Sequence, residues 1–302
     1  MNKTLKGIIP PMITPLLGRD TLDTKGLDNL IEHILGGGVH GLFILGTTGE
    51  GPSLSYRLRY ELIERTCKQV GGRVPVLVGI TDTSFTESIK MANISKEHGA
   101  EAVVLAPPFY FPAGNDELQE YFTDIISEIN LPVYLYNMPS HTKLNIAPET
   151  VLEIVKLPGV HGIKDSSGNM VYFNNILKKL KDEKNLSLLV GPEELLAESL
   201  FLGADGGVNG GANFFPELYV KLYNAAQINN WVTVRELHSK IMDISTTIYS
   251  VGKFGSSYLK GIKSALNYMG ICSDFMAEPF HAFKQPEREK VKEHLKKLKL
   301  LK

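Results

Sequence analysis

Short apolar runs recur along the chain, each closed by Gly, Pro or a polar turn residue and separated from the next by a longer amphipathic stretch. Runs of this kind predict strands buried on both faces, and the amphipathic stretches predict the helices that cover a parallel sheet. Eight such runs stand out: G-I-I-P-P-M from Gly7, G-L-F-I-L from Gly41, P-V-L-V-G from Pro75, E-A-V-V-L from Glu101, P-V-Y-L-Y from Pro132, H-G-I-K from His161, S-L-L-V-G from Ser187 and D-G-G-V-N from Asp205. Between them, Ser84 to His98 reads as a helix with a Ser cap and Glu87 three residues on. Asp116 to Ile129 sets Leu118, Phe122, Ile125, Ile126 and Ile129 on one face.

Eight strand and helix units predict an α/β fold, a closed (β/α)8 TIM barrel. An open doubly wound sheet is the alternative, but it calls for a nucleotide-type Gly-rich turn after the first strand, and P-M-I-T-P-L is not one. Strand signals stop after Asn229, and W-V-T-V-R-E-L-H-S-K-I-M and Y-L-K-G-I-K-S-A-L-N-Y-M predict helices. The chain therefore divides into a barrel over 1–229 and a C-terminal helical extension over 230–302. The tail from Pro286 is Lys- and Glu-rich. Its apolar positions Val291, Leu295 and Leu298 predict packing on the barrel or on another subunit, and its charge reads as a solvated face.

Composition narrows the class. The 302 residues are 43% hydrophobic and 22% charged, as expected of a soluble globular protein. With 32 basic against 33 acidic residues and a net charge of -1, no electrostatic footprint for nucleic acid or an anionic membrane is present, and small molecules are the expected partners. Cys67 and Cys272 have neither metal-ligand nor redox spacing, which fits a reducing compartment. Neither a signal peptide nor a membrane-spanning run is apparent, so a cytoplasmic location is expected.

In a barrel the chemistry sits at the carboxyl ends of the strands and in the loops after them. The second run leads into G-T-T-G-E at Gly46 to Glu50, where glycines admit a ligand to the backbone and hydroxyls with nearby amides suit a carboxylate; the plain alternative is a Gly-rich turn capping the next helix. The fifth run ends in Y-N-M-P, placing the Tyr136 phenol at the barrel mouth, although a strand tyrosine also serves simply to fill space. The sixth ends in Lys164, within G-V-H-G-I-K-D-S-S-G. An amine directed into a barrel loses water, which favours the neutral, nucleophilic form, whereas most lysines are solvated surface residues. A phenol on the adjacent strand supplies the proton shuttle that imine formation needs.

Together, G-T-T-G-E, Y-N-M-P, G-I-K-D-S-S-G and G-A-D-G-G-V-N-G-G-A-N resemble the dihydrodipicolinate synthase and N-acetylneuraminate lyase family of pyruvate-dependent class I aldolases, over nearly the whole chain. The resemblance implies an eight-stranded barrel with a helical extension, a homotetramer, and no metal or organic cofactor. It implies that Lys164 forms the Schiff base with pyruvate or a 2-oxo acid and that Tyr136 relays protons. Thr47 and Thr48 would bind the carboxylate, Tyr110 of P-P-F-Y-F-P would complete a relay across a subunit interface, and the Val208 carbonyl would face the site.

Two departures bear on substrate. Synthases of lysine biosynthesis in this family carry an arginine two residues after the proline of Y-N-x-P, and here that position is His141, followed by Thr142 and Lys143. Imidazole offers no bidentate fork for a carboxylate, though Lys143 is a possible source of charge. The sialic acid lyase segments are not matched either: G-P-E-E stands at Gly191 to Glu194 and N-G-G-A-N after the eighth strand, where Glu193, Glu194 and Asn209 offer hydrogen bonds to substrate hydroxyls. Glu193 equally suits the amino end of the following helix. The expected activity is a carbon–carbon lyase acting through an imine on a 2-keto-3-deoxy sugar acid. The alternatives are 4-hydroxy-tetrahydrodipicolinate synthase, a sugar-acid dehydratase using the same imine, and a non-catalytic small-molecule-binding member.

Overall fold

Alternation of side chains along each strand decides which residues face inward in the computed structural model, which describes residues 4–183 and 185–301. The barrel strands are β1 (Gly7–Ile8), β2 (Leu42–Ile44), β3 (Val76–Gly79), β4 (Ala102–Leu105), β5 (Val133–Asn137), β6 (Val160–Asp165), β7 (Ser187–Val190) and β8 (Gly206–Gly207). They form one eight-stranded parallel sheet in which the strands from β2 to β8 each pair with their sequence neighbour and β1 pairs with β8. The ring closes through a parallel bridge between Pro11 and Phe43, where the Phe43 amide donates to the Pro10 carbonyl and the Met12 amide to the Phe43 carbonyl.

A helix follows every strand: α1 (Thr24–Gly36), α2 (Tyr56–Val70), α3 (Phe85–Glu97), α4 (Asn115–Glu128), α5 (Pro148–Ile154), α6 (Met170–Leu180), α7 (Leu196–Phe201) and α8 (Pro216–Gln227). This is the (β/α)8 barrel expected from the eight runs. Helix α3 starts at the expected cap, with the Ser84 hydroxyl accepting from the Glu87 amide, and α4 buries Leu118, Phe122, Ile125 and Ile126 as its periodicity predicts. The first run is cut short as a strand because Pro10 and Pro11 have no amide hydrogen to continue the ladder. A small antiparallel hairpin, Leu16–Gly18 with Thr21–Leu22, and a helical turn at Pro139–Thr142 carry no periodicity and are not apparent from the sequence.

Two apolar layers result. In β5, Val133 and Leu135 face the helices, while Tyr134 and Tyr136 join Phe43, Leu77, Val104 and Leu189 inside the barrel. In β6, Ile163 belongs to the outer layer, so its neighbour Lys164 is directed inward. At the seam, a Cβ on Gly206 would run into the Gly7 carbonyl, so β8 reaches β1 only as glycine.

The extension comprises α9 (Trp231–Thr247), α10 (Ser257–Tyr268) and α11 (Gln285–Lys297). Val291 and Leu295 of α11 are fully buried within this chain, and the helix packs against α10. Burying each of them contributes roughly 1.5–3 kcal/mol, enough to hold an otherwise charged helix in place. Among the described residues no helix is long and apolar enough to cross a membrane.

Candidate active site

Lys164 and Tyr136 are paired residues in the β5–β6 ladder, so the parallel register itself brings amine and phenol together. Lys164 is only 6% exposed, and its Nζ lies 3.9 Å from the centroid of the Tyr136 ring and 5.2 Å from that of Phe43. The Tyr136 hydroxyl is 3.2 Å from Thr47 Oγ1, in the turn after β2. Lys164, Tyr136 and Thr47 line a cavity of about 480 Å3 at the carboxyl end of the barrel, together with Thr48, His141, Glu193, Glu194 and Val208. Amine, phenol and hydroxyl lining one cavity are the groups that carbinolamine formation and dehydration require.

The polar residues after Lys164 build the loop that ends β6 and starts α6. Asp165 accepts from the Ser167 amide and hydroxyl at 3.1 and 2.9 Å and from Asn137 Nδ2 at 2.9 Å. Burial pushes its carboxyl above the ordinary carboxylate range, against these hydrogen bonds. Asn169 then caps α6, its Oδ1 accepting from the Val171 and Tyr172 amides. Asn137 ties the same loop to the next, since its Oδ1 accepts from the Ile146 amide and its Nδ2 also donates to Asn145.

His141 stands at the cavity mouth on the short helical turn, with Nδ1 2.9 Å from the Ser140 hydroxyl. Desolvation holds its imidazole below the usual value, and the Lys143 and Lys164 charges lower it further. The Lys143 ammonium donates to the Ser140 carbonyl at 2.7 Å, which ties it to its own turn.

Glu193 is fully engaged. Its Oε1 accepts from the Tyr219 and Tyr249 hydroxyls, at 2.5 and 2.8 Å, and its Oε2 accepts from the Gly211 amide at 2.9 Å. A Cβ at Gly211 would collide with the Tyr219 hydroxyl, so glycine there lets the backbone reach the carboxylate. Burial pushes the Glu193 carboxyl up to about 7, against the Tyr219 hydrogen bond. Glu194 takes the Ser245 hydroxyl on Oε1.

Two candidates lie apart from this group. Asn209 is buried behind the cavity wall, where its Nδ2 donates to the Gly191 carbonyl at 3.1 Å. Tyr110 is 76% exposed in the loop after β4. Other cavity residues escaped the sequence reading. Tyr258 of α10 lies 3.4 Å from Thr48 Oγ1, and Phe280, in the irregular connection between α10 and α11, forms part of the wall; neither the helical pattern of the one nor the setting of the other carries a chemical signal.

The family model described as Dihydrodipicolinate synthetase family matches residues 4–298. The chain belongs to this family. Its members are class I aldolases and lyases, and this chain is one of them. It is 30% identical to the 4-hydroxy-tetrahydrodipicolinate synthase of Methanospirillum hungatei JF-1, over 96% of this chain and 98% of that one. It is 31% identical to the probable 2-dehydro-3-deoxy-D-pentonate aldolase YjhH of Escherichia coli K12, over 89% of both. Among solved structures, the dihydrodipicolinate synthase from Bacteroides thetaiotaomicron superposes with a TM-score of 0.96 at 57% identity, covering 98% of this chain and 100% of that one. YagE, a prophage protein of E. coli K12 in complex with pyruvate, superposes at 0.93 with 28% identity, over 98% of this chain and 99% of its own.

Proposed function

We propose that this member of the family is a Schiff-base lyase that splits a 2-keto-3-deoxy sugar acid into pyruvate and a hydroxylated aldehyde, or joins the two. The observation that carries the reading is the charge inventory of the cavity: among the described residues lining it, Lys164 is the only lysine or arginine. An aldehyde bearing its own carboxylate would find a neutral imidazole at position 141 and a Lys143 ammonium already bound to a carbonyl. A polyhydroxylated substrate would instead meet the hydroxyls of Thr48, Ser166, Ser256 and Tyr258 and the carboxylate of Glu194. With both Glu193 oxygens occupied, Glu194 is the better placed of the two carboxylates to accept from a substrate hydroxyl.

In this mechanism Lys164 Nζ adds to the keto carbon, Tyr136 moves the protons that turn the carbinolamine into an imine, and water leaves. The C3–C4 bond then breaks as the C4 hydroxyl gives up its proton. The bonding pair passes to the imine nitrogen, forming an enamine that is protonated at C3 and hydrolysed to pyruvate. Thr47 and Thr48 hold the substrate carboxylate, the Val208 carbonyl faces the bound acid, and Asn209 supports the wall through Gly191. Tyr110 acts across an interface between copies in a homotetramer built as a dimer of dimers. A mostly apolar annex of about 270 Å3 beside Thr47 and Tyr136, with Phe109 in its wall, offers room for that phenol.

The names of several relatives favour a second reading, 4-hydroxy-tetrahydrodipicolinate synthase. One experiment separates the two: kcat/KM for condensation of pyruvate with aspartate semialdehyde, measured beside cleavage of several 2-keto-3-deoxy acids, with dehydration products assayed in parallel. Charged hydrogen bonds contribute roughly 1.5–3 kcal/mol each, so the missing arginine should weaken aspartate semialdehyde use by one to two orders of magnitude or more. His141→Arg should raise that residual condensation without improving sugar-acid cleavage. Efficient condensation by the unmodified protein would overturn the sugar-acid reading in favour of the synthase.

A further inference from the structure

We propose that the buried Glu50–Lys263 ion pair is a positioning device through which the C-terminal extension holds the Thr47–Tyr136 hydrogen bond in place. Both partners are almost wholly enclosed, with side-chain exposures of 1% for Lys263 and 3% for Glu50. Lys263 lies on α10 and lines neither the cavity nor its annex, so its charge acts on the site through other residues.

Glu50 ends the G-T-T-G-E turn in a left-handed conformation, φ 55°, that few residues other than glycine adopt readily. Its carboxylate binds two separate parts of the extension: one oxygen pairs with Lys263, and the other accepts from the Ala277 amide at 2.8 Å. Lys263 Nζ in turn donates to the Phe275 carbonyl at 2.8 Å. One pair of charges therefore joins the turn after β2 to α10 and to the segment at 275–277, three residues before Phe280 of the cavity wall. Tyr258, also on α10, approaches Thr48 in the same turn.

The link to chemistry runs through the backbone. The Glu50 amide donates to the Thr47 carbonyl at 3.1 Å, so a shift of Glu50 drags Thr47 with it. The Thr47–Tyr136 contact, at 3.2 Å, is already longer than hydroxyl hydrogen bonds prefer, and a further displacement of a few tenths of an ångström breaks it. A buried ion pair is a poor stabiliser compared with apolar side chains of the same volume. What the charges add here is direction, because a carboxylate with two separately held oxygens fixes the turn against two elements at once.

This proposal rests on the reading of Tyr136 as the proton relay, so its test uses a partial reaction that needs no knowledge of the aldehyde. Exchange of the pyruvate methyl protons in D2O, followed by NMR, reports imine and enamine formation. The neutral pair Glu50→Gln with Lys263→Met leaves no unpaired buried charge; should it not fold, Glu50→Gln with Lys263→Gln, which keeps an acceptor for the Ala277 amide and a donor for the Phe275 carbonyl, replaces it. Misplacement of a relay by a fraction of an ångström should lower kcat for exchange ~10–100-fold. Because Thr47 also holds the substrate carboxylate, KM for pyruvate should rise by a smaller factor than kcat falls, and borohydride at saturating pyruvate should still trap the imine on Lys164. In a Thr47→Val background the same substitutions should cost nothing further. Exchange at the wild-type rate, or an equal loss with and without Thr47, overturns the positioning role. A wild-type protein that neither exchanges nor traps pyruvate brings down the Schiff-base reading itself, and the positioning role with it.

Discussion

Lys164 is legible as a candidate because it ends an apolar run within the motif G-I-K-D-S-S-G; that its amine enters the barrel follows in the structure from a strand periodicity of two, with Ile163 among the outer apolar residues. Incubation with pyruvate and borohydride should add one reduced pyruvyl group at Lys164, located by peptide mapping. Lys164→Arg should abolish the label and lower turnover by roughly three orders of magnitude or more, while the fold is kept, since guanidinium stays charged. Label on any other lysine would contradict the assignment. Glu193 shows the opposite case. Its partners Tyr219 and Tyr249 lie 26 and 56 residues further on, and no local pattern announces that they converge on one carboxylate. The consequence is a pH dependence of stability. The unfolded carboxyl ionises near 4.5, whereas the folded one keeps its proton until about 7. The folded state therefore binds more protons in that window, and stability is lost as pH rises through it. Relative to Glu193→Gln, the wild type should lose on the order of 1–3 kcal/mol between pH 5 and pH 8, measured by denaturant unfolding of both proteins. Parallel pH profiles for the two would show that Glu193 ionises normally.

At the scale of elements, the connection from β6 to α6 explains why K-D-S-S-G-N follows the strand. Asp165 closes a turn on Ser167, Gly168 adopts φ 70°, and Asn169 satisfies two free amides at the start of α6. Asn169→Ala should destabilise the protein by about 1 kcal/mol and lower the melting temperature by a few degrees, with pyruvate trapping retained. A melting temperature unchanged from wild type would remove the cap from the account of this loop. Regular elements such as α3 and α4 are readable because their apolar positions repeat. The hairpin at Leu16–Gly18 and Thr21–Leu22 and the turn at Pro139–Thr142 are too short to establish a period. The second of these carries His141, so the residue was visible as a departure from the family while its setting was not.

For the molecule as a whole, the expected chemistry draws its electrophile from the imine, and no metal has to supply one. Among the described residues no group of three or more His, Cys, Asp or Glu side chains converges as an ion site. Turnover should survive exhaustive chelation; loss restored by a single divalent ion would point to a metal-dependent aldolase. The alternation of apolar runs and amphipathic stretches determined the barrel, its eight strands and the strand ends where chemistry collects, because periodicity and burial are local properties of a chain. The same motifs located Lys164, Tyr136 and Thr47, which sit at those ends. Only the tertiary structure decided that both Glu193 oxygens are bound, that the Lys143 charge is tied to its own turn, that Tyr258 and Phe280 reach the cavity from the extension, and that Lys263 pairs with Glu50 in the turn after β2. Apart from the Lys143 contact, these join residues far apart in sequence, and such partnerships exist only once the barrel has closed and the C-terminal extension has packed against it.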